Sequence, residues 1–109
     1  MKLQEEFSLE SILSIVTGIN CTNDFYEVYE LIWFMFEDEF INDSGLLQKE
    51  EIARRHILNI HPELRSISYN RIDNIDDWIN KQKDLFGDTL PISIIGEPII
   101  KFEKQPILK

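Results

Sequence analysis

The stretch FSLESILSIVTG, residues 7–18, settles whether the first strongly patterned segment of this chain is a helix or a strand. Its apolar residues recur at intervals of three and four, which places them along one side of a helix: Leu9, Ile12, Leu13 and Val16. Ser8 is a favourable N-cap, and Gly18 stands where helices commonly end in glycine. The pattern therefore predicts a helix, and its Ser, Thr and Gly residues are explained as helix boundaries rather than as a catalytic loop.

A second helix is predicted for DFYEVYELIWFMFEDEF, residues 24–40, with an N-cap at residue 22, 23 or 24. Its apolar side chains gather on one arc of a helical wheel, which we expect to face the core: Phe25, Val28, Tyr29, Ile32, Met35, Phe36 and Phe40. Acidic side chains gather on the opposite arc: Asp24, Glu27, Glu30, Glu37 and Asp38. Leu31 and Phe34 break the pattern because they lie within the acidic arc.

Two further helices are predicted beyond residue 41. The third begins near Ser44 and ends at HPEL, residues 61–64, because the residue before a proline avoids helical geometry. Its inner stripe is Leu46, Ala53, Ile57 and Ile60. The fourth is capped by Asn74 and closed by Gly87. Its inner face is Ile75, Trp78, Ile79, Leu85 and Phe86.

From residue 88 the pattern changes to β-branched and alternating residues. LPISII, residues 90–95, and PIIKFEK, residues 98–104, predict two short strands, arranged as a hairpin. Pro91, Pro98 and Pro106 favour edge positions, since proline cannot donate to a sheet. The predicted fold class is therefore α+β, a single domain over residues 1–109 with about four helices followed by a small C-terminal two-stranded β element.

The charge of the chain is strongly uneven. The net charge is −9, and residues 1–45 carry all of it, with ten acids and one base. Such a field repels nucleic-acid phosphates and favours basic partners. No apolar run approaches a membrane span, MKLQEEFSLE lacks an apolar signal core, and Cys21 is the single cysteine. We therefore expect a cytoplasmic protein with Cys21 as a buried core residue.

Motifs that would indicate an enzyme are missing from the sequence. It contains no glycine-rich phosphate loop and no nucleophile elbow. His56 and His61 are five apart, which is not a metal-binding spacing on a helix, and we expect His61 to cap or pack against the end of the third helix. The acids at 37–39 point in different directions and cannot converge on one atom. The expectation is no catalytic residue, no cofactor and no metal.

Phe34 within its ring of acids is the feature that points to binding. An apolar residue with an acidic rim suits a basic protein surface, and the predicted contact residues are Glu27, Glu30, Leu31, Phe34, Glu37 and Asp38. The alternative is that a second layer of the protein covers Phe34. Substitution of Glu30, Glu37 and Asp38 by lysine is expected to abolish binding without unfolding the chain.

Two other functions are compatible with the sequence. Lys49, Arg54, Arg55, Arg65 and Arg71, followed by a helix and a hairpin, could form a winged-helix DNA-binding regulator. Neighbouring acids neutralise that cluster, so it offers little counterion release, and this function is disfavoured. The third possibility is a structural homodimer built through the aromatic second helix.

Four segments, in order, resemble a family of small uncharacterised proteins from phages and prophages: FSLESILSIVTG, VYELIWFMFEDEF, HPEL and WINKQKDLFGDTLPI. The matching residues are Phe7, Leu9, Ile12, Leu13, Ser14, Thr17, Gly18, Tyr29, Leu31, Met35, His61, Pro62, Leu64, Trp78, Gly87 and Leu90. The likeness spans nearly the whole chain, although the second helix here is more aromatic and acidic than the family pattern. It transfers no catalytic residue.

The resemblance implies a phage accessory protein in the host bacterial cytoplasm. Small acidic phage products often bind a host protein, including bacterial immune nucleases. The hypothesis is therefore a non-enzymatic protein that binds a basic host surface through its acidic helix face, as an anti-CRISPR-like inhibitor of a defence component. Direct binding to nucleic acid or to a membrane is not expected.

Overall fold

Four α-helices and a two-stranded antiparallel sheet make up the part of the chain that the computed structural model describes, residues 3–38, 41–69 and 74–95. The elements in chain order are β1 (Gln4–Ser8), α1 (Leu9–Thr17), α2 (Tyr26–Phe36), α3 (Asp43–Ile60), a 3-10 helix (Pro62–Ser66), α4 (Ile75–Phe86) and β2 (Thr89–Ser93). The predicted α+β class and its four helices are confirmed.

The sheet joins segments that are far apart in the sequence. β1 and β2 pair with Gln4 opposite Ser93 and Ser8 opposite Thr89. β2 confirms the first predicted strand, but its partner β1 was not predicted, because QEEFS contains two adjacent glutamates, which disfavour strands. The second predicted strand, residues 98–104, lies outside the described residues.

Helix α1 has the predicted boundaries. The Ser8 hydroxyl accepts from the Ser11 amide at 3.3 Å. Gly18 adopts a left-handed φ of 77°, and its amide donates to the Ser14 carbonyl at 3.0 Å. Leu9, Ile12 and Leu13 are fully buried, so α1 lies at the centre of the fold.

Helix α2 is shorter than predicted and is rotated about its axis. It ends at Phe36 instead of residue 40, and its buried residues are Val28, Leu31, Ile32 and Met35. Phe25, predicted to face inward, is 41% exposed, and Leu31, predicted on the acidic arc, is fully buried. Small aliphatic side chains occupy the closest approach to the core, and the larger rings lie at its margins. Phe40 lies outside the described residues.

Helices α3 and α4 confirm their predicted ends with two corrections. Asn42, not Ser44, caps α3, where its side-chain oxygen accepts from the Gly45 amide at 3.0 Å. Asn74 caps α4 as predicted, accepting from the Asp77 amide at 3.1 Å. Leu85 was predicted to face inward but is 69% exposed. On the helical wheel it lies at the edge of the stripe formed by Trp78, Ile79 and Gln82, on the side away from Ile79.

The core has two parts that share α1. One part joins Ile12 and Ile15 to the buried faces of α2 and α3 and to Ile92 of β2. The other joins Leu9, Leu13 and Cys21 to Trp78 and Ile79 of α4; Phe86 and Leu90 pack against both parts. The burial of Cys21 is as predicted. This arrangement holds α2 beside β1 and α3 beside β2. None of the described helices has both the length and the apolar character that crossing a membrane requires.

Candidate functional site

A groove of about 860 Å³ runs between β1 and α2. We call it the acidic groove, and its lining residues are Glu5, Glu6, Phe7, Ser8, Ser11, Tyr26, Glu27, Glu30, Trp33, Phe34, Glu37, Asp38 and Ile94. One wall is thus the strand with the start of α1, and the other is the polar face of α2. Five of the six predicted contact residues lie on it.

Every charged side chain that lines the acidic groove is a carboxylate. Glu6 accepts a hydrogen bond from Thr89 Oγ1 at 2.7 Å, so the group that it contacts is a neutral hydroxyl and not a base. The carboxylates of Glu30 and Glu37 are exposed and make no ion pair or hydrogen bond with a residue that the structure describes. The exposed carboxylates of Glu30 and Glu37 therefore give the groove a negative field.

Glu27 fixes the two walls of the groove to each other. Its Oε1 accepts from Ser8 Oγ at 3.1 Å and from Ser11 Oγ at 3.2 Å. These serines lie at the N-terminus of α1, where a negative charge is favoured by the helix dipole. Glu27 is therefore mainly a positioning residue, and the more exposed Glu30 and Glu37 present charge to the solvent.

Phe34 contacts the strand and also lines the groove. Its ring centroid is 5.3 Å from that of Phe7 in β1, with the planes tilted by 54°. The ring is half-buried, so β1 covers part of it and the acidic groove receives the rest. Both predicted environments of Phe34 are thus partly realised. A half-exposed ring surrounded by carboxylates is suited to the apolar stem of a lysine or arginine.

Two more aromatic residues extend the apolar lining of the groove along α2. Tyr26 is 56% exposed, and its ring packs edge-on against Trp33 at 5.4 Å. The Trp33 indole N–H donates to the Ile41 carbonyl at 3.1 Å, which fixes the orientation of the ring. The groove therefore has rigid apolar surface at both Phe34 and Trp33.

The C-terminal end of α2 has an unusual residue. Glu37 takes the left-handed conformation, with φ 55° and ψ 41°. Its amide donates to the Phe34 carbonyl at 3.3 Å, and the Asp38 amide donates to the Trp33 carbonyl at 3.1 Å. This is a Schellman motif, in which glycine is usual at the position of Glu37. The motif ends the helix early and directs Glu37 and Asp38 to the mouth of the groove.

Leu31 is the one predicted contact residue that the structure excludes. It is fully buried in the core, so it cannot touch a partner in this conformation. A helical residue is rotated by 100° from its neighbour, which turns Leu31 inward while Glu30 stays on the surface. The residues that sequence reasoning missed are those of β1 and α1, together with Tyr26, Trp33 and Ile94. The sequence gives little strand signal there, since Phe7 is the one large apolar residue of β1.

The described members of the basic cluster make contacts within the protein. Arg54 Nε donates to the carbonyls of Ile15 and Val16 at 3.0 and 3.2 Å, so the guanidinium caps α1. It also pairs with Glu51 at 2.6 Å. Arg55 Nε approaches the same glutamate at 3.4 Å. These contacts engage Arg54 within the fold, whereas Arg55 stays largely exposed. β2 pairs with β1, and the second strand of the predicted wing lies outside the described residues. Arg71 lies outside the described residues.

The two histidines cover the outer edge of β2. His56 Nε2 lies 2.8 Å from the Ser93 carbonyl, and His61 Nε2 lies 2.7 Å from the Pro91 carbonyl. His61 also ends α3, so its predicted packing role is confirmed. Within the described ranges, no three His, Cys, Asp or Glu side chains come together to hold a metal ion. The groove carboxylates are spread along a surface and do not converge.

Cys21 is placed as a core residue, not as a nucleophile. Burial raises the pKa of its thiol, against the opposing effect of hydrogen bonds with Thr17 and Ser14. Its sulfur lies 3.2 Å from the Ile19 carbonyl. A raised pKa keeps the group as the unreactive thiol at neutral pH.

The chemistry that the acidic groove offers is recognition of positive charge beside apolar surface. Fixed carboxylates attract a cationic partner, and Phe34, Tyr26 and Trp33 can pack against apolar stems. Comparison with known protein families, curated proteins and solved structures yields no match to this chain.

Proposed function

We propose that this chain is a non-enzymatic phage-type accessory protein that binds a basic surface of a host protein through the acidic groove, in the host cytoplasm. The class of partner we favour is a nucleic-acid-binding component of bacterial defence, because such proteins carry the basic surfaces that an acidic groove fits. The resemblance in the sequence supports a phage origin, and the acidic groove supports the proposed binding surface.

One observation supports this proposal above the others. All charged residues lining the groove are acids, and two of them, Glu30 and Glu37, have no described partner. Exposed like charges repel each other, and this repulsion lowers the stability of the folded domain. A cation that neutralises the cluster therefore stabilises the domain. A partner that supplies several positive charges at once would relieve this repulsion.

The test reverses two groove charges and compares capture from a bacterial lysate. The variant is Glu30→Lys with Glu37→Lys, and the matched control is Asp84→Lys with Asp88→Lys, which changes the net charge equally on exposed sites outside the groove. We expect the wild type and the control to retain a basic host protein and the groove variant to lose it, because the variant would repel that surface.

The fold and nucleic-acid binding are checked in the same experiment. Circular dichroism melts should be similar for the three proteins, since all four sites are exposed. A gel-shift titration at low salt should give no tight DNA complex with the wild type. Capture that is equal for the wild type and the groove variant, or a tight DNA complex, would overturn the proposal.

A further inference from the structure

The two edges of β1 differ in their hydrogen bonding. At the ends of the strand pair, the Ile94 amide donates to the Leu3 carbonyl at 3.1 Å and the Leu9 amide donates to the Asp88 carbonyl at 2.9 Å. Odd-numbered β1 residues therefore bond toward β2, in the alternation of an antiparallel pair. The register agrees, because Glu6 faces Pro91, which has no amide hydrogen to donate. The backbone groups of Gln4 and Glu6 point to the other edge.

That other edge of β1 has no strand neighbour among the described residues, since the sheet they form contains only β1 and β2. The edge opens into the acidic groove. Four successive residues, 5–8, line the groove although their side chains alternate between faces of the sheet. A cavity that touches all four runs along the edge of the strand. An unpaired edge of this kind is a template for an incoming strand.

The side chains around this edge define the chemistry of what would pair with it. Glu6 lies on the strand, and Glu30 and Glu37 lie on the opposite wall, so cationic side chains are favoured on the incoming segment. Phe34 and Tyr26 provide apolar surface between the acids. The segment that pairs with this edge can be no longer than β1, which has five residues, and Glu27 bridges the two walls at its Ser8 end.

We infer that the groove binds an extended, lysine- or arginine-rich segment of the partner protein, which adds as a third strand on the free edge of β1. This inference rests on the proposed function and names its binding mode. Backbone hydrogen bonds to Gln4 and Glu6 give affinity, and the carboxylates of α2 select basic side chains, as in other cases of strand addition. Helical or compact basic surfaces would not make the backbone contacts.

The test uses a blocked seven-residue peptide of alternating lysine and valine, titrated calorimetrically into the full chain. A second peptide carries N-methyl groups on alternate amides, which keeps the charge and removes backbone donors. We expect the plain peptide to bind and N-methylation to weaken binding about tenfold or more, because several hydrogen bonds are lost together. No binding of the plain peptide, or equal binding of both peptides, would overturn strand addition.

A variant of the protein tests the same contact from the other side. Gln4→Pro removes the amide hydrogen on the free edge without altering charge, and proline is tolerated at such a position, as Pro91 is in β2. We expect about a tenfold loss of affinity for the plain peptide, with Gln4→Ala within about twofold of the wild type. Equal affinity of the proline and alanine variants contradicts the inference. If the Gln4→Pro variant does not fold, the comparison of the plain and N-methylated peptides with the wild type still tests strand addition.

The charge-reversal variant separates this inference from the proposed function. If both peptides bind the wild type equally and neither binds the Glu30→Lys, Glu37→Lys variant, the acidic binding surface is supported and strand addition is rejected. Binding of the plain peptide that is unchanged by charge reversal rejects both. Slowed exchange of the Glu6 amide in the complex, with the Phe7 amide unaffected, is the expected signature of strand addition in nuclear magnetic resonance.

Discussion

Strand β2 meets helix α3 along its outer edge, whereas strand β1 faces helix α2 across an open groove. On the β2 side, His56 and His61 contact the outward carbonyls of Ser93 and Pro91, and Pro91 itself has no amide hydrogen to satisfy. On the β1 side, Gln4 and Glu6 direct backbone groups away from β2, and residues 5–8 line a cavity in which every charged side chain is an acid. Proteins normally protect both edges of a sheet because exposed edges pair with other chains. Among the described residues, the β1 edge is the one that has no neighbouring element, and it is the edge at which we infer that a partner strand pairs.

The largest expected effect concerns the wall that supports the open edge. Leu31→Ala should lower the free energy of unfolding by about 3 kcal/mol, because a fully buried leucine is lost from the core beneath α2. Phe34→Ala should be less destabilising, since that ring is half-buried, and should mainly weaken partner binding. Urea denaturation with peptide titration separates the two effects. A Leu31→Ala variant that keeps its stability but loses binding would show that the assignment of these two residues is reversed.

The next effect concerns the closed edge. His56→Phe and His61→Phe should each cost about 1–2 kcal/mol, because a ring of similar shape leaves a β2 carbonyl without its donor. The double variant should also self-associate, which light scattering would detect, since the β2 edge becomes available.

The matched substitution for that experiment is His→Gln at the same two positions. Glutamine retains an N–H donor near the place of Nε2, so we expect it to recover part of the stability and to keep the chain from associating. If the Phe and Gln variants behave alike, the histidines contribute packing only, and the two edges of the sheet differ less than we infer.

The smallest effect uses an acid that, unlike Glu30 and Glu37, has a basic partner. Lys83 Nζ lies 2.7 Å from Glu10 Oε2, and this hydrogen bond raises the pKa of Lys83. A raised pKa in the folded state means that the stabilisation is complete below the ordinary lysine pKa of about 10.4 and is lost as the pH rises through the folded value. Because the pair is partly exposed, Lys83→Gln should cost about 0.5 kcal/mol at pH 8.

The measurement is thermal unfolding of the wild type and Lys83→Gln between pH 8 and strongly alkaline pH. The difference in stability between them should shrink as the pH rises. Lys81→Gln, on an exposed site of the same helix, is the control and should show no comparable pH-dependent difference. A difference that grows with pH would contradict the assigned direction of the shift.

Local features of the sequence predict the helices well. The caps of α1 and α4 were predicted correctly because Ser8, Gly18, Asn74 and Gly87 act within a few residues of their own positions. The end of α2 was not predicted, because Glu37 occupies a left-handed position where glycine would have been the signal. The rotation of α2 is set by packing against α1 and α3, which no single-helix pattern contains.

The candidate site was predicted from one side only. The 3.6-residue period places Glu27, Glu30 and Phe34 on one face, and these residues do lie together. The other wall is β1, whose strand conformation depends on pairing with β2, and a pairing between distant segments leaves no trace in either one alone. For the same reason, the sequence does not predict which edge of β1 lacks a strand neighbour among the described residues.

The distance in sequence between the two strands also determines when the groove comes into existence during folding. Ser8 pairs with Thr89, so β1 acquires its position only after nearly all of the described chain has been brought together. Contacts between such distant segments form slowly, since the loop-closure entropy must be overcome first. A partner that contacts both walls would therefore not bind nascent or partly folded chains. Its binding would shift the folding equilibrium toward the native state.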